Sequence, residues 1–128
     1  MGLFSSDKLK VLSIDDSKFL QMTTKNMLEK AGCKVSLAYS GEEGIKMAEK
    51  VMPDVILLDI TIPGMDGLQA CLALKENPAT FGIPIIMVTS ENLGAEVQKA
   101  FDYGAKGYII KPINPERLLS KIEEVLNA

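Results

Sequence analysis

Short apolar runs alternate with helix-period segments along the whole chain, and this alternation predicts repeated β-α units around a parallel sheet. The first run, residues 9–14, precedes Ser17, which is placed to cap a helix. That helix is expected to bury Phe19, Leu20, Met27, Leu28 and Ala31 and to stop at Gly32. Residues 34–38 make a short second strand. Ser40-Gly41-Glu42-Glu43 has the form of a capping box, in which a hydroxyl and a carboxylate each satisfy an orphan backbone N–H, and its helix ends before Pro53. The third run, 54–58, is continuously apolar from Val55 to Leu58, as expected of a central strand covered on both faces.

Pro63-Gly64-Met65-Asp66-Gly67 reads as a turn, with Asp66 capping a third helix that carries Leu68, Cys71 and Leu72 and stops at Asn77-Pro78. A fourth strand over 84–88 leads to a helix presenting Leu93, Val97, Ala100 and Phe101 and ending at Gly104. A fifth strand covers 107–110. Asn114-Pro115 then opens the last helix as cap and first position, where a missing N–H costs nothing. Leu118, Leu119, Ile122, Val125 and Leu126 form its apolar stripe.

Composition narrows the function classes. The 128 residues suit one domain, and 47% of them are hydrophobic, enough for a substantial core. Residues 1–7 read as a disordered leader and 8–128 as that domain, with no output domain attached. Met1-Gly2-Leu3-Phe4-Ser5-Ser6 fits the short, permissive M-G-x-x-x-[ST] acylation pattern, but a simple leader is the better reading. A net charge of −3 leaves no electrostatic footprint for nucleic acid. No apolar run approaches a membrane span, and the N-terminus lacks a signal peptide's regions. Cys33 and Cys71, without CxxC spacing, read as reduced core thiols of a cytoplasmic protein. Histidine is absent, which excludes a Ser-His-Asp triad, a Cys-His pair, a His-rich metal site and a phosphohistidine carrier.

Chemistry must therefore come from carboxylates, hydroxyls and lysine, and these close the apolar runs. Asp15-Asp16 follow the first strand, Asp59 the third, Thr89 the fourth and Lys111 the fifth. In an open parallel α/β sheet, ligands bind just outside the carboxyl ends of the strands. Strands lying side by side would bring three carboxylates, a hydroxyl and an ammonium to one crevice. That set suits Mg²⁺, which takes oxygen ligands and keeps several waters, together with a phosphoryl group. Asp59 can also act as a nucleophile, with the metal, Lys111 and Thr89 each taking one equatorial phosphoryl oxygen. No general base is needed, because a carboxylate is already ionised near neutral pH.

The residues Ile14-Asp15-Asp16-Ser17, the stretch from Leu58-Asp59 to Asp66-Gly67, Val88-Thr89-Ser90 and the stretch from Gly104 to Lys111-Pro112 resemble the receiver domain of two-component response regulators. The resemblance covers nearly all of residues 8–127. It implies a flavodoxin-like (βα)5 fold, with a five-stranded parallel sheet in the order 2-1-3-4-5 and helices on both faces. It implies that Asp59 is the phosphoacceptor, charged by the phosphohistidine of a histidine kinase or histidine phosphotransfer protein. Asp15, Asp16, Asp59 and the backbone carbonyl of Thr61 would bind Mg²⁺, and Thr89 and Lys111 would contact the phosphoryl group.

By the same resemblance, Tyr108 is the switch aromatic that turns inward as Thr89 moves, and the Lys111–Pro112 bond is cis. Thr61 and Glu91 flank the route of attacking water and tune the lifetime of the phosphorylated state. The surface of the fourth helix, fifth strand and fifth helix would meet an unidentified protein target, as a monomer or a weak phosphorylation-dependent dimer. Such a protein is a switch rather than an enzyme that turns over a separate substrate. Ile62 stands where Met is common in the motif, a neutral packing change.

Three rival readings are weaker. A pseudo-receiver would be expected to lose part of the intact acidic and Lys set. A haloacid dehalogenase-type phosphatase resembles D-x-D-x-T, and Asp59-Ile60-Thr61 lacks the second Asp. A flavodoxin would set its flavin phosphate against Asp15-Asp16, which repel it. Within the receiver reading, direct target control, phosphate relay and phosphate sink all remain open.

Overall fold

The computed structural model describes residues 8–90 and 94–127. The expected leader over 1–7 with its acylation match, Glu91 and Leu93 lie outside the described residues. Five parallel strands, β1 (Lys10–Ile14), β2 (Lys34–Ala38), β3 (Val55–Asp59), β4 (Ile85–Thr89) and β5 (Gly107–Ile110), pair in the order β2-β1-β3-β4-β5. Helices α1 (Lys18–Lys30), α2 (Gly41–Val51), α3 (Gly67–Glu76), α4 (Gly94–Asp102) and α5 (Pro115–Leu126) connect them. This is the architecture that the alternation of patterns and the family resemblance imply.

Side chains alternate across a strand, so the sheet builds two cores. Leu12, Ile14, Ile56, Leu58, Ile85 and Met87 face one side with Ala48 of α2, Ala70, Cys71 and Leu74 of α3 and Ala100 of α4. Val11, Val55, Leu57, Ile86 and Val88 face the other with Leu28 of α1 and Leu118, Ile122 and Val125 of α5. β3 and β4 are buried at every position because helices cover both their faces. β5, at the sheet edge, alternates instead, leaving Tyr108 and Ile110 exposed. Burial pushes the Cys33 and Cys71 thiols up to about 11, in keeping with inert core residues.

The helix signals hold, with informative exceptions. Ser17, Ser40, Asp66 and Asn114 each accept the backbone N–H three residues on. Gly32 sits at φ +92°, the left-handed conformation that ends α1. Pro115 occupies the first turn of α5. The box at Ser40 is displaced: the Glu43 carboxylate accepts from the Tyr39 N–H at 2.6 Å, not from Ser40. The full reciprocal box lies at Asp66, with Gln69 as its partner. In α3, Leu68 and Leu72 are half-buried, and Ala70, Cys71 and Leu74 carry the core.

Phe19 was expected inside and is 78% exposed. The inward face of α1 is set by Gln21, Thr24 and Leu28, and Phe19 lies more than half a turn from Gln21. Gln21 is buried because its carboxamide bonds to Ser13 and to Ala38 O at the carboxyl ends of β1 and β2, and a hydrophobic-stripe reading misses both it and the buried Thr24.

Gly67 fixes how closely α3 approaches the end of β3. Its N–H donates to Ile60 O at 2.9 Å, and a Cβ there would lie 2.2 Å from Asp59 O and 2.6 Å from Ile60 Cα. Backbone cannot give way as a side-chain end can. Gly67→Ala is expected to cost about 2–3 kcal/mol or more, read as a lower urea midpoint at unchanged m. Gly82→Ala, whose Cβ meets nothing within 4 Å, is the control that should leave the midpoint nearly unchanged. Equal midpoints in both variants would show that α3 moves freely against β3.

Candidate functional site

β1, β3, β4 and β5 all end at one rim of the sheet, and the polar residues that close them meet there. Sheet register sets the stagger. Ile14 pairs Leu58, Asp59 pairs Val88 and Thr89 pairs Ile110, so Asp15, Asp59, Thr89 and Lys111 emerge in succession along the rim. The backbone continues the ladder past the strands: Asp15 N–H donates to Ala38 O at 3.1 Å, Ile60 N–H to Val88 O at 2.9 Å and Lys111 N–H to Thr89 O at 2.7 Å.

Asp15 and Asp59 are 7% and 4% exposed, and Asp16 is exposed. One carboxylate oxygen from each of the three lies within 4.8 Å of the others. The Lys111 ammonium donates to Asp59 Oδ2 at 2.9 Å and to Asp15 Oδ2 at 3.1 Å. The other oxygens are held from the turns that follow the strands. Ser17 N–H donates to Asp15 Oδ1 at 2.9 Å, and Thr61 N–H donates to Asp59 Oδ1 at 3.0 Å. The Thr61 hydroxyl adds a 3.3 Å bond to the same atom.

Thr89 is fully buried at the end of β4, and its carbonyl anchors Lys111. The Lys111–Pro112 peptide is cis. Tyr108, 41% exposed, stands on the outer side of β5, and its ring meets Phe101 of α4 edge-on, with centroids 6.2 Å apart and planes at 86°. Glu91 is outside the described residues. The Thr61 N–H and hydroxyl bonds to Asp59 were not foreseen, because a Thr two residues after an Asp is common in ordinary turns. Gln21 was also missed. It is buried beneath the site, and its position within a helical stripe gave no sign of function.

Three carboxylates against one ammonium leave a surplus of negative charge in a half-dry crevice. Hard oxygen donors, two buried and one at the rim, suit Mg²⁺, which takes one or two carboxylates and retains waters. Burial first, and then the nearby Asp59 charge, hold the Asp15 carboxyl above its ordinary 3.8, against the opposing Ser17 and Lys111 bonds. Burial works to lower the Lys111 pKa, but its bonds to Asp59 and Asp15 and their charges outweigh this and raise it.

Both shifts are upward, so both contributions to stability are lost as pH rises, each through its own window. A raised Asp15 pKa means that the folded chain binds this proton more tightly than the unfolded chain. Its contribution is most favourable below 3.8 and declines as pH rises through the raised folded value. The Lys111 contribution persists until pH rises through its own raised value. Asp15→Asn keeps an acceptor for Ser17 and removes the charge. It is expected to raise the melting temperature in EDTA by a few degrees near neutral pH, with the gain vanishing in acid. A lower melting temperature near neutral pH would show that the ion pair to Lys111 outweighs burial and repulsion.

Comparison with known proteins places this rim in a wider group. A family profile described as the response regulator receiver domain matches residues 11–123. The chain is 37% identical to protein PilH of Pseudomonas aeruginosa over 117 residues, covering 91% of this chain and 97% of that protein. It is 36% identical to protein PilG of the same organism over 118 residues, covering 92% and 87%. The structure of the chemotaxis response regulator CheY4 of Vibrio cholerae superposes with a TM-score of 0.87 at 34% identity, covering 93% of this chain and 99% of that one. With the fold, the converging carboxylates and these relatives in agreement, the chain belongs to the response regulator receiver domain family of two-component signalling.

Proposed function

We propose that Asp59 accepts a phosphoryl group from the phosphohistidine of a histidine kinase or histidine phosphotransfer protein, and that this phosphorylation switches the α4-β5-α5 surface. The observation that carries the reading is the convergence of Asp15, Asp16, Asp59 and Lys111 at one rim of the sheet. Asp59 attacks phosphorus, the donor's P–N bond breaks, and the imidazole leaves with the electron pair. Thr61 holds Oδ1 and Lys111 holds Oδ2, which orients the acceptor carboxylate in the crevice before the donor arrives. Asp15, Asp16, Asp59 and the Thr61 carbonyl would hold Mg²⁺, which would supply charge neutralisation for the acceptor and the incoming oxygens.

Lys111, with its compact ammonium, transfers its contact from the carboxylate to a phosphoryl oxygen. Thr89 contributes its hydroxyl to another oxygen and moves toward it. Tyr108, outward against Phe101, turns into the space that Thr89 leaves. The added charge, about −1.5 to −2, acts only by favouring the conformation that binds it better. Thr61 and Glu91 set how readily water reaches the aspartyl phosphate.

No helix among the described residues is long and apolar enough to cross a membrane. We place the exchange in the cytoplasm, with a protein target, the chain acting as a monomer or as a weak phosphorylation-dependent dimer.

Intact-protein mass after treatment with acetyl phosphate and Mg²⁺ tests the acceptor. A Mg²⁺-dependent phosphoryl adduct is expected on the wild type and not on Asp59→Asn, whose circular dichroism should be unchanged. An adduct on Asp59→Asn, or none on the wild type with any donor, would overturn the assignment. Lys111→Ala should still accept phosphate, more slowly, without the shift in Tyr108 ring resonances that follows phosphorylation of the wild type. A wild-type shift in that variant would remove Lys111 from the switch.

A further inference from the structure

Gln21 is 1% exposed on the inner face of α1, and its carboxamide is fully used. Its Nε2 donates to Ser13 O and to Ala38 O, each at 2.9 Å, and its Oε1 accepts from Ser13 Oγ at 2.6 Å. A long, flexible, polar side chain loses rotamer freedom on burial, and an unmet amide inside a core is costly. These bonds offset that cost and tie three segments together: the carboxyl end of β1, the last residue of β2 and the first turn of α1.

The position of this tie matters. Ala38 O accepts from Gln21 Nε2 and also from the Asp15 N–H. One carbonyl therefore anchors both the carboxamide and the backbone of the first buried carboxylate. From Asp15 the chain turns through Asp16 to Ser17, whose N–H returns to Asp15 Oδ1 and whose hydroxyl caps α1 at Leu20. The Asp15-Asp16-Ser17 turn is thus clamped at both ends. The ladder bond to Ala38 holds its start, and the helix that Gln21 fastens to the sheet holds its finish. Loosening the carboxamide frees the helix side of the turn and exposes Ala38 O to competition from water.

We propose that Gln21 is a positioning residue of the acidic site: through Ala38 O and Ser13 it sets the Asp15-Asp16 turn in the geometry that binds a divalent cation. The proposal rests on the metal reading above. Gln21 touches neither metal nor phosphate, and it acts through the backbone that carries the ligands.

Mn²⁺, whose free form is counted directly by electron paramagnetic resonance, serves as the probe. Amide hydrogen exchange at Asp15, measured in EDTA, reports the turn without metal. Ser13→Ala keeps both donor bonds of Gln21 and strands only its Oε1. It should lower the melting temperature while leaving Mn²⁺ affinity and Asp15 exchange near the wild-type values. Ser13→Ala/Gln21→Met replaces hydroxyl and carboxamide by apolar groups of similar size, so no side-chain polar atom of the pair is orphaned. It should melt above Gln21→Met alone, yet bind Mn²⁺ roughly tenfold more weakly, the scale of lost outer-sphere support. Its Asp15 amide should exchange several-fold faster relative to core amides of β3.

Wild-type Mn²⁺ affinity and Asp15 exchange in the double variant would reduce Gln21 to a packing residue and overturn the proposal. If the wild type itself bound no Mn²⁺, the metal reading would fail on its own. Asp15 exchange in the double variant would then decide the clamp: faster exchange sustains it and unchanged exchange overturns it.

Discussion

The attraction of the Lys111 ammonium for Asp59 and Asp15 governs the rim of this sheet, because it lets two buried carboxylates stand side by side. Ionised groups of like sign repel, and removing them from water adds to the cost. One cation shared between them, with N–H donors from Ser17 and Thr61 on the remaining oxygens, makes the arrangement tolerable without relieving it entirely. The raised Asp15 pKa records what is left of the strain.

Everything beneath the rim serves to keep those groups in register. Two apolar cores, one on each face, fix the strands, and strand pairing fixes the stagger in which the polar residues emerge. Gly67 brings α3 against the end of β3 beside Asp59, an approach that any side chain would obstruct. The edge strand β5 is less enclosed. Tyr108 and Ile110 are exposed there, and the Tyr108 ring meets Phe101 of α4 edge-on. Lys111 directly follows this four-residue strand, so the rim and this exposed surface are joined by one short stretch of backbone.

Local physics was legible in the residues themselves. The alternation of apolar runs with helix periods, the capping hydroxyls and carboxylates, the stop at Gly32 and the Asn114-Pro115 start are properties of neighbouring residues, and they stand in the structure as read. So was the set of candidate groups, since each closes an apolar run. Phe19 and Gln21 were legible only as letters in a stripe. Which of them points inward depends on what β1 presents to α1, and Ser13 presents a hydroxyl and a carbonyl. The Glu43 carboxylate likewise chose Tyr39 over Ser40, because the loop leaving β2 sets which N–H it reaches.

The sequence by itself determined the elements, their order, the absence of histidine chemistry and the identity of the acidic, hydroxyl and ammonium groups at the strand ends. These follow from side-chain period, backbone propensity and composition, which act over a few residues. Tertiary structure decided what those groups do to one another. It brought Lys111 within 3.1 Å of Asp15, ninety-six residues away, set three donors on Asp59 at 2.9 to 3.3 Å, and buried Gln21 on the inner face of α1. Such distances depend on how the sheet orders its strands and how closely the helices pack. No local pattern contains that information, because the free energy that selects it is spread over both cores.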